Sequence, residues 1–237
     1  NIYNSINSGI IGFNSAFDCN IDFSNIQNIG ITSSDIVGLP AMNTNNAFIG
    51  QFARNSYNIN NFIFSGFTKT NDSIFNHLIQ SSDFNGSNGY YLKMKNNSWD
   101  SSNSSVYAVD SILNLKNKDN YQSWENFDKY WKIEVIDGIT RIPILKGVNI
   151  PYTTISDISI NIGDTVSLLE YITPTTDANR ISYQIKDNDN IIEFKNVYQD
   201  DSTIPTDITM KGLEYGEATI HIVSNYDGYE KDIKITV

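Results

Sequence analysis

Short apolar clusters of strand length, each fenced by Asn, Ser or Gly, fill the first 95 residues. Ile10–Phe13, Ile29–Ile31, Phe48–Gly50 and Phe62–Phe64 are examples. No stretch keeps apolar residues at helical spacing for three turns, so a helical core is excluded and strands are left. Composition agrees. Asn, Ile, Ser, Asp and Tyr are abundant while Ala, Leu and Arg are scarce. Ile and Tyr suit the pleated surface of a sheet, and Asn, Asp and Ser suit turns. The sequence therefore predicts an all-β protein.

A weak repeat refines this. Ile11-Gly12 recurs as Ile49-Gly50, and Cys19-Asn20-Ile21 recurs as Tyr57-Asn58-Ile59, both 38 positions on. That period suits a parallel β-solenoid with inward apolar residues and Asn or Gly at its corners. Asn at inward corners is expected to form side-chain ladders along the stack, as amides do in cross-β assemblies.

Residues 96–147 change in texture and hold all three tryptophans, Trp99, Trp124 and Trp131. Ser111–Tyr121 is expected to form one short helix. Asn97-Ser98-Trp99-Asp100, the Trp124–Ile133 run with Phe127-Asp128, and Pro143-Ile144-Leu145 resemble the closing segment of GLUG-repeat bacterial surface proteins. Val135–Thr140 is an insertion relative to that pattern, and Ser98 stands where an aromatic residue is usual. The resemblance implies β-helical rungs closed by an aromatic cap. Large rings covering the last rung would shield apolar surface and strand edges. The competing role for such rings is a platform for stacking sugars.

After Gly147 and Pro151 the alternation becomes regular. Ile158, Ile160 and Ile162 share one parity, and Ile220, Ile222, Ile233, Ile235 and Val237 repeat the pattern. Strands of this length with frequent turns predict a sandwich. Ile158–Val166, Ile181–Ile185, Met210–Ile220 with Gly212, Gly216 and Ala218, and the Tyr226-Asp227-Gly228 turn resemble the bacterial immunoglobulin-like family, group 2. Tyr183 stands where that family commonly has tryptophan, and the Val197–Asp207 loop is longer than usual. The expected layout is a β-solenoid-like region with an aromatic cap over 1–147, a linker over 148–156, and an immunoglobulin-like β-sandwich over 157–237.

Charge bears on partners. The net charge is −11. Residues 1–150 carry 10 Lys and Arg against 12 Asp and Glu, whereas residues 151–237 carry 6 against 15. That shift is a further sign of two domains. The basic footprint of a nucleic-acid binder is missing, and the sequence has no apolar run long enough to insert in a membrane. The lone Cys19 permits no internal disulfide and reads as a small buried hydrophobe. The chain begins at Asn1, so an internal fragment or processed product is expected.

Chemistry is sparse. His77 and His221 are the two histidines, so a two-His metal site is not expected and a Ser-His-Asp triad has few candidates. His221, between Ile220 and Ile222, is expected to face outward. Calcium is the best metal candidate, with Asp187, Asn188, Asp189, Asp200 and Asp201 as oxygen donors, but their spacing is not that of an EF-hand loop. Asp18 and Asp22 share a spacing too common to mark a glycosidase pair. No catalytic, cofactor-binding or metal-binding residue is assigned. The expected function is a non-enzymatic adhesion or display module of a secreted or cell-wall-associated bacterial protein, extracellular, with a surface glycan or matrix protein as partner. The alternatives are a passive stalk, and a carbohydrate-active β-helix enzyme or phage tail receptor-binding region.

Overall fold

The computed structural model describes residues 6–7, 20–28, 31–32, 56–64, 67–68, 84–92, 106–176, 178–198 and 205–237. Cys19, His77, Trp99, Asp200, Asp201 and the clusters at 10–13 and 48–50 lie outside them. The described chain is all-β apart from short helical turns. It forms two compact units, residues 1–134 with 142–148, and residues 135–141 with 149–237.

The first unit is built from parallel strands. β1 (Ile6–Asn7), β2 (Asn20–Asn28), β3 (Ile31–Thr32), β4 (Ser56–Phe64), β5 (Phe67–Thr68), β6 (Phe84–Leu92) and β7 (Val106–Val109) follow in order. They make two sheets, β2-β4-β6-β7 and β1-β3-β5, parallel throughout. Twice a nine-residue strand is followed closely by a two-residue strand of the other sheet: β2 by β3, and β4 by β5.

The register corrects the repeat. Ile21 pairs with Tyr57 and Phe23 with Ile59, an offset of 36 and not the expected 38. The next step, Tyr57 to Phe84, is 27. A slip of two residues leaves every side chain on its own face, so the apolar texture alone is blind to it.

Asn61 and Asn88 sit at matching positions of β4 and β6, between the pairs Asn60–Ser87 and Phe62–Gly89. Both adopt left-handed backbone, φ 55°. Asn tolerates that conformation better than most residues. The break in alternation lets Asn61, Phe62 and Ile63 all be buried in succession. Phe62 needs Gly89 as its neighbour, because a Cβ there would lie 2.0 Å from the ring.

The rest of the unit is the tryptophan-bearing segment. The expected single helix is two 3₁₀ turns, Ile112–Lys116 and Lys118–Tyr121. Asn117 separates them. Its backbone is extended, and its Oδ1 accepts from Asp119 N at 3.0 Å. A side chain that competes for backbone donors favours a helix start over a helix interior. Then come α1 (Phe127–Tyr130) and four short strands, β8 (Trp131–Lys132), β9 (Val135–Ile136), β10 (Ile139–Thr140) and β11 (Ile144–Leu145). β8 pairs with β11 in the first unit, while β9 and β10 form a hairpin in the second. Val135–Thr140 is that hairpin.

The second unit continues with β12 (Thr154–Ile155), β13 (Ile158–Ser159), β14 (Thr165–Ser167), β15 (Ile172–Thr173), β16 (Ile181–Asp187), β17 (Ile192–Tyr198), β18 (Pro205–Gly212), β19 (Glu217–Ser224) and β20 (Glu230–Thr236). One sheet has the order β13-β20-β19-β16, the other β14-β18-β17. β12 pairs with β15. The inward residues of both sheets form one aliphatic core, including Ile158, Ile192, Ile208, Met210, Ile220, Ile222, Ile233 and Ile235. Strict alternation along β19 puts Ile220 and Ile222 inside and leaves His221 half-buried, with Nδ1 2.7 Å from Asp232 Oδ1.

Ile158, Ile160 and Ile162 do not continue as one strand face. Ile158 is buried and Ile162 is exposed. Ile160 N donates to Thr236 O, beside β20, whereas Ile162 bridges to Gly212 at the end of β18. The chain thus changes sheets at this point. The turn that follows uses Gly163 at φ 85°, a conformation that costs glycine little. Gly228, in the turn between β19 and β20, has φ 74°, as its sequence context predicts.

Candidate functional site

Two side-chain clusters stand out, one in each unit. In the first, register places Tyr90 of β6 beside Tyr107 of β7. Their rings stack at 5.5 Å and 29°. Tyr90 is fixed from two sides. Its hydroxyl donates to Asn120 O at 2.8 Å, and its ring meets Tyr121 at 5.5 Å and Trp124 at 6.1 Å. Behind them Tyr121, Trp124, Phe127 and Trp131 pack ring against ring at 4.9 to 6.3 Å. All four are buried, Trp131 completely. Burial pushes the Tyr121 phenol far above the usual tyrosine range, with Tyr90 adding to the shift. Its hydroxyl donates to Leu115 O at 2.6 Å.

The tryptophan segment therefore lies on the face that Tyr90 presents, and its buried rings offer no open face to a sugar. Tyr107 is different. It is 51% exposed, although its ring is held in place by Tyr90. Ser123 and Gln122 are exposed on the adjoining turn, and Ser123 Oγ donates to Asn88 Oδ1 at 3.2 Å. Asn88 in turn donates from Nδ2 to Asn61 Oδ1 at 3.2 Å. One amide bond thus joins matching positions of adjacent strands, within the strands and not at the corners where a ladder was expected, and Ser123 donates to its outer asparagine. Asn25 occupies the matching position of β2, between the pairs Ser24–Asn60 and Ile26–Phe62.

The second cluster is a buried ion pair. Arg141 and Asp227, 1% and 0% exposed, meet with Nη1 donating to Oδ2 at 3.0 Å. Arg141 Nη2 donates to Thr153 O at 3.1 Å. The guanidinium lies 4.8 Å from the Tyr229 ring centroid and 5.6 Å from that of Tyr152. Asp227 also accepts from Thr153 N at 2.7 Å and Tyr229 N at 3.0 Å. Next to them the hydroxyls of Thr153 and Ser224 are 3.0 Å apart. A buried pair needs this density of hydrogen bonds to offset desolvation. Sequence reasoning missed it, reading Asp227 as part of a turn and giving Arg141 no role. An arginine directly after an Asp-Gly hairpin carries no signal until the fold brings position 227 to it.

Two of the calcium candidates make hydrogen bonds within the chain. Asp187 Oδ1 accepts from Thr219 N at 2.6 Å, and Asn188 Nδ2 donates to Glu217 O at 2.8 Å. Among the described residues no three His, Cys, Asp or Glu side chains come together as a metal site. No described helix is long and apolar enough to cross a membrane. Tyr183 packs against Phe194 at 4.7 Å.

No protein-family model matches the chain, and it has no match among curated proteins or solved structures.

Proposed function

We propose that the chain is a non-enzymatic adhesion module of a secreted or cell-wall-associated bacterial surface protein. In this reading residues 1–147 form a β-solenoid-like stack that presents a lateral binding face. The immunoglobulin-like sandwich over 157–237 extends or orients it. Parallel in-register strands and the long-strand, short-strand alternation support the first part. The sheet orders β13-β20-β19-β16 and β14-β18-β17 around one core support the second.

The observation that carries the adhesive reading is Tyr107. A half-exposed ring already fixed by stacking loses little rotational freedom when a ligand covers it. A surface glycan, whose apolar ring face matches a tyrosine, is the ligand class that fits best.

The test is an array of glycans and matrix proteins, with and without calcium, probed with the wild-type chain and with Tyr107→Ala. The expected result is a glycan signal weakened about 2- to 12-fold by the substitution, the range for losing a stacked aromatic contact. Binding to a matrix protein alone would replace the ligand class. A blank array in both conditions would favour the passive stalk.

A further inference from the structure

Residues 135–141 belong to the second unit, although the chain before them, to Glu134, and after them, from Ile142, belongs to the first. They are a small device on their own. Ile136 pairs with Ile139 and Val135 with Thr140 across Asp137-Gly138. Those two residues have φ 51° and 77°, the two positive values that a tight hairpin turn requires. Three of its seven residues are exposed. Val135 is 64% exposed, and Asp137 and Gly138 are exposed. Ile139 packs against the aliphatic core as a partly buried residue. Only Arg141 is fully buried.

The pocket around Arg141 is made by other parts of the second unit. Asp227 is fixed by the backbone donors of Thr153 and Tyr229, which do not depend on Arg141. Tyr152 and Tyr229 supply ring faces, and Thr153 supplies a carbonyl. The site is a preformed guanidinium receptor, with an acceptor for each Nη and aromatic surface for the plane.

We propose that residues 135–141 are a releasable strap on the second unit and that Arg141 is its latch. A two-stranded hairpin of this size has little stability of its own. Segments with few buried contacts open at a free energy well below that of global unfolding. Here one guanidinium and the partly buried Ile136, Ile139 and Thr140 set that energy. When the latch leaves, Asp227 keeps both backbone hydrogen bonds, so the two sheets remain folded.

Hydrogen exchange on the full chain tests this, using wild type, Arg141→Met and Arg141→Lys. Lysine keeps the charge but cannot reproduce the fork. Amides of Val135–Thr140 should exchange about 100-fold faster or more in Arg141→Met, the loss expected for a broken buried pair. Arg141→Lys should fall between. Amides of β18 and β19, such as Ile208 and Ile220, exchange through global unfolding and also lose protection when the pair is broken, but they should stay far better protected than the strap in all three proteins. Unchanged strap exchange in Arg141→Met would overturn the proposal. So would strap amides as well protected as those of β18 and β19 in the wild type. Should Arg141→Met fail to fold, Arg141→Lys decides by the same contrast: strap amides that exchange faster than in the wild type and far faster than the sheets uphold the latch, and strap amides protected equally with the sheets refute it.

Discussion

Asn61 and Ile220 are both buried in the middle of a strand, and little else about their surroundings is alike. Asn61 is held by the residue at its own position in the next parallel strand, Asn88. Ile220 sits in a core filled from two sheets by aliphatic side chains two positions apart. The first unit stacks matching positions: amide on amide, Phe62 over Gly89, Tyr90 beside Tyr107. The second alternates in and out. Parallel strands paired at matching positions repeat each choice, so one residue's fit depends on the equivalent residue of the next strand. Alternating strands around one core spread the same demand over many interchangeable aliphatics.

That contrast predicts different sensitivities. The largest effect is expected from Trp131→Ala, which removes the fully buried ring of the cluster. It should cost about 3–5 kcal/mol and destabilise the first unit, as read by chemical unfolding. Ile220→Ala should cost about 2–4 kcal/mol in the second unit. Ile220→Val should cost only about 1 kcal/mol, because aliphatic cores tolerate such exchange. Equal sensitivity to the Ile→Val change and to a one-carbon change in the stack would erase the distinction.

Gly89→Ala supplies that one-carbon change. The added Cβ meets the Phe62 ring, and about 1–3 kcal/mol of overpacking is expected. Asn61→Gly sharpens the point further. Glycine accepts the positive φ, so the loss of about 1 kcal/mol measures the amide bond apart from backbone strain.

The smallest expected effect is at alkaline pH. The folded-state phenol of Tyr121 is raised by burial, so the native chain keeps a proton that the unfolded chain releases near pH 10. The native state then binds more protons, and stability falls as pH rises above about 10. It is fully present below that value. Tyr121→Phe should flatten the fall, as measured by unfolding at stepped pH. A slope unchanged by the substitution would mean that Tyr121 is not what holds the proton.

The two units also differed in how far their sequences could be read. Ile220, His221 and Ile222 announce a strand with one buried face, and Gly228 announces the turn beside it. Those signals are local and have period two. In the first unit, strands and an amide stack were legible in kind, but the offsets were not. Spacings of 36 and 27 leave no single period to find, and a slip of two preserves every face. The left-handed Asn61 also hides a run of three buried residues inside an apparent turn signal. The break at Asn117 turned one expected helix into two turns. Arg141 and Asp227 were illegible for another reason. Their partnership spans 86 positions and depends on the hairpin at 135–140 reaching the second unit. In the aromatic cluster the ring-bearing residues were legible as a group, whereas the exposure of Tyr107 depends on where the segment comes to lie.

The most direct test of this contrast is urea unfolding of full-length Gly89→Ala, followed in two ways. Tryptophan fluorescence reports residues of the first unit, since all three tryptophans fall within 1–134. Hydrogen exchange of Ile220, Ile222 and Ile233 reports the second. The stacked-position account predicts a lower fluorescence midpoint with protection of those three amides unchanged. An unmoved fluorescence midpoint, or an equal fall in both signals, would contradict it.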